Sequence, residues 1–566
     1  MEFIFAGALV YLFYTFVLKR RGGRKGWQEP RPIVAPRESA PPPEPNRGFG
    51  RRRQSPTQWD EAPVPAPAPT PPPPPMRIQE TVSAVLRRQV PVRFDAPERS
   101  WIGGLPMMPD GLGWPTGVSH EKASEGPRPL HFVAQIALAD LPAELWSGLG
   151  PREGWLLVFL NPNLGYDYDQ QSFRVIYTRE LGSERPAPAA LGPVWDGVYT
   201  GETYPHCRSV AEIPSTWRRW PVDVVAVPNQ ARIEEGRTLA APAEFESLLY
   251  PGEPVERERH QLPPMEPFTW RGALYVVDGI LRSWSKPLEP RKLSGSIAKR
   301  LSEPGYIQSI LPAVDAQEAE VKARFRSLLD DPATDETRRA QIHEFAATRD
   351  SERERLAALL AEHPTPGSMF ARLESEQQSR VAWHGGVAAR LEAERSAILA
   401  HELDTPLPPE AWTALRERLS GDCHSFWSTD WMERDGDRLH VTFREIETCL
   451  LGKTTNHVPR ALATLAADYY VDPQRRELLP EGLAEALEPH WRRLEENRPH
   501  RMGGYHDGLQ SDAEIGPQTQ LLLLQLASDD AMQWCWGDSG AFFVFIDPPD
   551  LADGDFGKVT VELECH

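Results

Sequence analysis

The chain has 566 residues, of which 40% are hydrophobic and 25% are charged, an ordinary balance for a folded protein. Its net charge of −19 is unevenly spread, because residues 1–76 hold eleven Lys/Arg and six Asp/Glu, which leaves −24 for the remainder. Phosphate binding needs Lys and Arg, so this acidic body disfavours nucleic acid as a partner.

The N-terminus contains an uncharged apolar run, Phe3–Leu18. At 1.5 Å per residue a helix of this length spans roughly 24 Å, slightly short of a bilayer core of about 30 Å. Glu2 precedes the run, whereas a cleaved signal peptide has positive charge there. The positive charges follow it, at Lys19, Arg20, Arg21, Arg24 and Lys25. We therefore expect residues 1–25 to form a transmembrane anchor with its basic flank, in a single-pass membrane protein whose C-terminal domain is cytoplasmic.

Residues 26–76 are rich in proline and end in the run Pro71–Pro75. Such a segment cannot form a core and favours extended polyproline II, so we expect a disordered linker. It is interpreted mainly as a spacer, although a docking site for a proline-binding protein partner stays open.

Two distant parts of the remaining chain share one pattern: a Gly-Gly pair, an apolar strand around a Gln, a Gly, a second apolar strand and an Asn/Asp-Pro turn. Short apolar runs bounded by Gly and Pro are typical of buried strands. In chain order the shared positions are Gly103-Gly104, Gln135, Gly154 and Asn161-Pro162, then Gly503-Gly504, Gln525, Gly540 and Asp547-Pro548. The predicted fold class is α+β, a mixed-sheet domain with two similar β-rich halves over residues 77–312 and 421–566.

Between these halves, residues 313–420 are rich in Ala, Glu, Arg and Leu. Apolar residues at helical spacing, such as Val321, Phe325 and Leu328, predict an inserted helical bundle, hairpin or coiled coil. Its charged faces are interpreted as solvated, with a surface for a protein partner as the second interpretation.

Several of these segments together resemble the YwqG family. They are Gly103-Gly104-Leu105-Pro106, Trp114-Pro115, Asp140-Leu141-Pro142, Gly503-Gly504-Tyr505 and Trp536-Gly537-Asp538-Ser539-Gly540. That family is a bacterial domain of unknown function, so the resemblance implies a single α+β domain and no activity. Together with the predicted anchor, it implies a protein of the bacterial inner membrane. The anchor, linker and helical insertion depart from the family pattern.

Gly537-Asp538-Ser539-Gly540 has the letters that surround the nucleophile of chymotrypsin-like proteases. No earlier Ala-His-Cys segment accompanies it, and a turn before a strand explains it better. The nearby His506 is the candidate base. A hydrolase with a site between the halves near Asp538 and Ser539 is thus the alternative hypothesis.

The scattered histidines have no zinc-ligand spacing, and the Gly-Gly pairs lack the Lys of a phosphate loop, so neither a metal nor a cofactor is predicted. Five cysteines without a CxxC pair favour a reducing compartment. Aromatic and polar side chains near the shared turns suggest a binding cleft between the halves. Its candidate residues are Trp114, Gln135, Gln525, Trp536 and Asp538. The preferred hypothesis is a binding or scaffold module on the cytoplasmic face of the membrane.

Overall fold

The computed structural model describes residues 80–565 except 96, 119–125, 163–171, 196–202, 229–241, 259–260, 285, 436–437, 453–456, 495–497 and 509–518. All of these residues belong to one of the two units into which the chain divides, Arg77–His566. The predicted anchor, Phe3–Leu18, and the predicted linker, 26–76, lie outside the described residues. Within the described part, no helix has both the length and the apolar character needed to cross a membrane.

Fourteen strands are described. In chain order they are β1 (Val82–Arg88), β2 (Trp101–Ile102), β3 (Thr116–Gly117), β4 (Arg128–Pro129), β5 (His131–Ala137), β6 (Trp155–Leu160), β7 (Phe173–Thr178), β8 (Trp220–Pro228), β9 (Cys423–Asp435), β10 (Arg438–Cys449), β11 (Arg501–Met502), β12 (Leu521–Ala527), β13 (Ala541–Ile546) and β14 (Thr560–Glu564). Ten form one sheet in the order β14-β13-β12-β11-β1-β8-β2-β5-β6-β7, while β3-β4 and β9-β10 form two small hairpins.

Every pairing among the described strands of the large sheet is antiparallel. The α+β class is confirmed, but the expected mixed sheet is corrected to an antiparallel one. Neighbours such as β5-β6-β7 and β12-β13-β14 follow one another in the chain, so direct connections join them and no parallel crossover is needed. All seven residues of β5 and of β12 are buried, as their apolar sequences predict.

The sheet is symmetrical about its central pair, β1 and β8. On one side lie β2, β5, β6 and β7, and on the other lie β11, β12, β13 and β14. Gln135 pairs with Trp101 and Gln525 pairs with Arg501, and both β5 and β12 carry a register shift two residues before the Gln. The repeated sequence pattern therefore corresponds to repeated strand geometry.

Ten α-helices complete the described part. They are α1 (Pro242–Leu249), α2 (Trp270–Trp284), α3 (Gly295–Leu301), α4 (Tyr306–Leu329), α5 (Glu336–Glu362), α6 (Pro366–Ile398), α7 (Pro409–Gly421), α8 (His457–Tyr470), α9 (Leu483–Arg492) and α10 (Pro548–Asp553). The predicted insertion limits, 313 and 420, fall inside α4 and α7, so the change from sheet to helices begins earlier, at α2. The domain limits stay a prediction.

Helix α8 joins the two largest cores. Its Leu462 packs in the helical core with α2, α6 and α7, while Ala466 and Tyr470 pack in the core of the sheet. Tyr470 lies against Trp220 of β8 and Trp491 of α9, with ring centroids 6.0 and 4.3 Å away. These contacts fix α8 across the sheet, which places the side chains between Leu462 and Tyr470 at the junction.

Cys423 and Cys449, directly opposed at the open end of the β9-β10 hairpin, form a disulfide. Their spacing of 26 residues gives no local sequence motif, which is why the expectation of reduced cysteines overlooked this pair. The expectation is corrected for these two residues. Cys207, Cys535 and Cys565 are not part of a disulfide.

Candidate functional site

A cavity of about 820 Å³ opens where the segment before β8 meets α2, α8 and the loop after β12. This volume lies within the range of small-molecule sites, roughly 300–1,000 Å³. The lining residues are Glu98, Tyr204, His206, Cys207, Glu212, Pro214, Thr216, Trp217, Arg218, Arg219, Tyr275, Asp278, Arg395, Asp468, Val471, Asp472, Pro473, Arg475 and Gln533.

Arg218 occupies the base of the cavity, and only 4% of its side chain is exposed. Its backbone crosses Gly103, where a Cβ would stand 2.0 Å from the carbonyl oxygen of Arg218. Gly103 also has a φ of +66°, so both the close approach and the backbone conformation require glycine. The Nε of Arg218 lies 3.0 Å from Asp468 Oδ1, and its Nη2 donates a 2.8 Å hydrogen bond to Gln533 Oε1.

Beside Arg218, Nδ1 of His206 is buried and has no hydrogen-bond partner among the described residues, and the buried Oη of Tyr204 has a weak, poorly aligned partner in the indole of Trp217. Tyr204 is only 1% exposed. The imidazole of His206 stacks on the ring of Tyr275, with centroids 4.0 Å apart and planes at 12°. Buried polar atoms in folded proteins are normally paired. The Nε atoms of Arg218 and Arg219 at the same cavity also make no hydrogen bond within the described part of the chain, although each lies close to a carboxylate.

The titratable groups beside Arg218 are held in neutral forms. Burial, reinforced by Arg218 and Arg282, lowers the pKa of His206 to about 3. Burial and the neighbouring Glu212 carboxylate raise the pKa of the Cys207 thiol to about 12. Burial also raises the pKa of the Tyr204 phenol well above its ordinary value. Near neutral pH the cavity therefore presents a neutral imidazole, a thiol and a phenol, and these three groups supply neither a thiolate nor a base matched to that pH.

Most of the charged lining groups are paired with one another. Arg395 Nε lies 2.8 Å from Asp278 Oδ1, and Arg475 Nε lies 2.7 Å from Asp472 Oδ2. Burial is the main cause that raises the pKa of Asp278, while Arg395 opposes it. The cavity wall is thus densely polar, with arginines and carboxylates set side by side.

The two halves of the sheet exchange contacts at their Gly-Gly turns. A Cβ at Gly503 of the second half would meet the side chain of Leu145 from the first half at 2.5 Å. In turn, a Cβ at Gly103 of the first half would meet Met532 from the second half at 2.8 Å. Leu145 and Met532 therefore occupy corresponding positions in the two halves.

The next residues, Trp146 and Gln533, share a left-handed backbone, with φ of 53° and 57°. Trp146 is fully buried, and its indole N–H donates to the carbonyl of Leu522 at 3.0 Å. Gln533 is smaller and lines the cavity, where its Nε2 donates to the Thr203 carbonyl at 2.8 Å. We attribute the cavity to this difference: a large indole fills one position, and a glutamine leaves its counterpart open.

The glutamines predicted for a cleft are fully buried and serve corresponding structural roles. Oε1 of Gln135 accepts from the backbone N–H of Met107 at 3.0 Å, and Oε1 of Gln525 accepts from the backbone N–H of Asp507 at 3.0 Å. Four strands of the sheet lie between β5 and β12. The structure therefore does not bring the two glutamines together.

The other three candidates lie in different surroundings. Trp114 is half-buried and donates to the Leu130 carbonyl at 2.8 Å. Trp536 is 1% exposed and donates to the Ala527 carbonyl at 3.0 Å, while Asp538 is exposed. The cavity described above is lined by none of the five predicted residues. A second cleft that uses them stays a prediction.

Residues 537–539 form a turn, as the sequence predicts. The neighbouring His506 packs its ring against Phe543 and Phe545 of β13, with centroids 5.5 and 5.8 Å away. Ser539 and His506 are both absent from the lining of the cavity. The local geometry therefore favours the turn over a nucleophile.

Potential metal ligands within the described ranges come close together at Cys423, Glu447 and Cys449. Both thiols of this group are joined in the disulfide and cannot ligate an ion in that form. The cavity residues instead gather from positions as distant as Tyr204, Arg218 and Asp468. A possible signal was the run Trp217-Arg218-Arg219-Trp220, where two arginines lie between tryptophans before a strand.

Comparison with known proteins agrees with the fold. No curated protein matches the chain. The model of one family, Domain of unknown function (DUF1963), matches residues 100–263 and 352–565, which is more than half of the chain. These two segments include β2 through β8 and β9 through β14, and the gap between them covers α2 through α4. The expected relationship to a family of unknown function is confirmed, and the chain belongs to the DUF1963 family.

Proposed function

We propose that this protein is a membrane-held binding module whose cavity receives a small polar ligand. The observation that carries the proposal is the cavity of about 820 Å³, whose lining residues include Tyr204 and His206 with buried, incompletely paired Oη and Nδ1 atoms. Leaving a buried donor or acceptor unpaired costs about 1–3 kcal/mol. A ligand that supplies both partners recovers that cost on binding.

The same chemistry favours binding over catalysis. A general acid or base works best when its pKa lies near the working pH, whereas burial holds the pKa of His206 at about 3 and that of Cys207 at about 12. The alternative hydrolase near Asp538 and Ser539 gains no support from the exposed turn that carries them.

Membrane attachment rests on the sequence of Phe3–Leu18 and its basic flank. In this proposal the chain is a bacterial, YwqG-like protein of the inner membrane, its domain faces the cytoplasm, and nucleic acid is not a partner. The proline-rich linker gives the domain reach, and a protein partner on the linker or on the helices between the halves would make it a scaffold as well.

The full-length chain, purified in mild detergent, can be examined by native mass spectrometry for a co-purified small molecule. We expect a ligand mass on the wild-type chain and a lower ligand occupancy in Tyr204→Phe. Tyr250→Phe is the matched control, because Tyr250 is buried and donates to the Arg88 carbonyl outside the cavity. An undiminished occupancy by the same ligand in Tyr204→Phe would refute the proposed site.

A further inference from the structure

We infer that the ligand of the cavity is uncharged and rich in hydroxyl groups, of the chemical class of neutral mono- and disaccharides. This inference rests on the proposed function and specifies the ligand for the same cavity. It is carried by the pairing of the charged groups, by the incompletely paired neutral groups and by the stacked rings on the wall.

The four arginines that line the cavity each lie within 3.0 Å of a carboxylate. The pairs are Arg218–Asp468 at 3.0 Å, Arg219–Glu98 at 2.6 Å, Arg395–Asp278 at 2.8 Å and Arg475–Asp472 at 2.7 Å. The fifth lining carboxylate, Glu212, is paired outside the lining with Arg208 at 2.6 Å. Charge is thus compensated pair by pair around the whole wall.

An ionic ligand fits such a wall poorly. It would bring a further charge into a partly enclosed space, or it would break an existing pair and leave one partner uncompensated. A neutral hydroxyl adds no charge and breaks no ion pair. It can donate to a carboxylate oxygen and accept from a guanidinium N–H while the pair stays intact. Paired planar groups therefore suit a ligand that both donates and accepts at many points.

The two incompletely paired groups, Tyr204 Oη and His206 Nδ1, are also neutral. Tyr204 Oη can donate or accept, and so can Nδ1 of His206, depending on the tautomer of the ring. A hydroxyl group satisfies either atom in either role. A carboxylate or an ammonium satisfies only one role at each atom, so it matches the pair less completely.

One wall of the cavity is aromatic. His206 and Tyr275 are stacked nearly parallel, at 12°, and Trp217 lines the same cavity. The C–H face of a sugar ring is apolar and covers an aromatic face, while the hydroxyls around its edge reach the polar groups. A pocket with apolar or aromatic walls and a few convergent polar groups orients a ligand in this way.

The test is calorimetric titration of the full-length chain with D-glucose, N-acetyl-D-glucosamine and maltose as neutral probes. D-Gluconate and D-glucosamine serve as anionic and cationic counterparts of glucose. We expect saturable binding of at least one neutral probe, and binding of both charged counterparts at least about tenfold weaker than that probe. Tyr204→Phe should weaken neutral binding about two- to tenfold, while Tyr250→Phe should leave it unchanged.

The outcomes separate the two claims. Tighter binding of gluconate or glucosamine, lost in Tyr204→Phe, would overturn the neutral class and keep the cavity as a site. Failure of every neutral sugar to bind would overturn the neutral class alone, because the mass-spectrometric result then decides the proposed function. Neutral binding that Tyr204→Phe leaves unchanged would overturn both. Folding of each variant is checked by circular dichroism before titration.

Discussion

Replacement of Tyr204 by phenylalanine tests whether the Tyr204 hydroxyl serves ligand binding or stabilises the fold. The change removes only Oη, a buried atom that has a weak, poorly aligned contact with the Trp217 indole and no other hydrogen-bond partner in the described part of the chain. The desolvation cost of such an atom is about 1–3 kcal/mol, and water in the adjoining cavity offsets part of it. We therefore expect the ligand-free variant to be as stable as the wild type or about 1 kcal/mol more stable.

Tyr250→Phe gives the scale for an ordinary structural tyrosine. Tyr250 is 5% exposed, and its Oη donates to the Arg88 carbonyl at 3.0 Å. Loss of that bond leaves a buried carbonyl short of a donor and should cost about 1 kcal/mol or more. The two variants are thus expected to move the free energy of unfolding in different directions.

The assay is urea unfolding of ligand-free protein, followed by tryptophan fluorescence, with the midpoints compared at equal slope. A destabilisation of Tyr204→Phe as large as that of Tyr250→Phe would mean that Tyr204 Oη is already satisfied within the protein. The reasoning that assigns the cavity to a ligand would then lose its main support.

Three further predictions concern other parts of the molecule. Gly540→Ala should destabilise the fold by about 2–3 kcal/mol, because a Cβ would lie 2.0 Å from the Glu564 carbonyl oxygen. Urea unfolding measures this change, and an unchanged free energy of unfolding would show that the turn can shift. His206 has a pKa of about 3 in the folded chain and 6.5 when exposed, so the unfolded chain binds the proton first. The free energy of unfolding should therefore fall as pH drops from 6.5 towards 3, and it should fall less steeply in His206→Phe. An equal slope in the two proteins would contradict burial of the neutral ring. If the domain is cytoplasmic, Cys423 and Cys449 should be alkylated in acid-quenched cells and should bridge only after air oxidation; a bridge already present in cells would contradict that location.

The strands at the centre of the fold could be predicted from local sequence. Apolar runs such as Leu521–Ala527 and the Gly-Gly pairs before them depend on near neighbours, and burial with positive φ is what such patterns specify. The antiparallel character of the sheet could not be predicted, since strand order depends on pairings between distant segments. The disulfide could not be predicted for the same reason, because Cys423 and Cys449 meet only where a hairpin brings its two ends together.

The cavity could not be predicted from local sequence patterns. Tyr204, Arg218, Tyr275, Asp468 and Gln533 come from separate parts of the chain and share no spacing. A buried glutamine whose Oε1 accepts from a backbone N–H also has the same sequence appearance as one that binds a ligand. Gln135 and Gln525 were therefore assigned to a cleft, although packing gives both of them structural hydrogen bonds.

The most direct test of the cavity is to fill it. Gln533→Trp introduces the indole that the other half carries at Trp146, on a backbone of nearly the same φ. Native mass spectrometry of the full-length variant should show a folded chain without the small molecule that the wild type carries. A folded Gln533→Trp chain that retains this molecule would contradict the assignment of the cavity as the binding site.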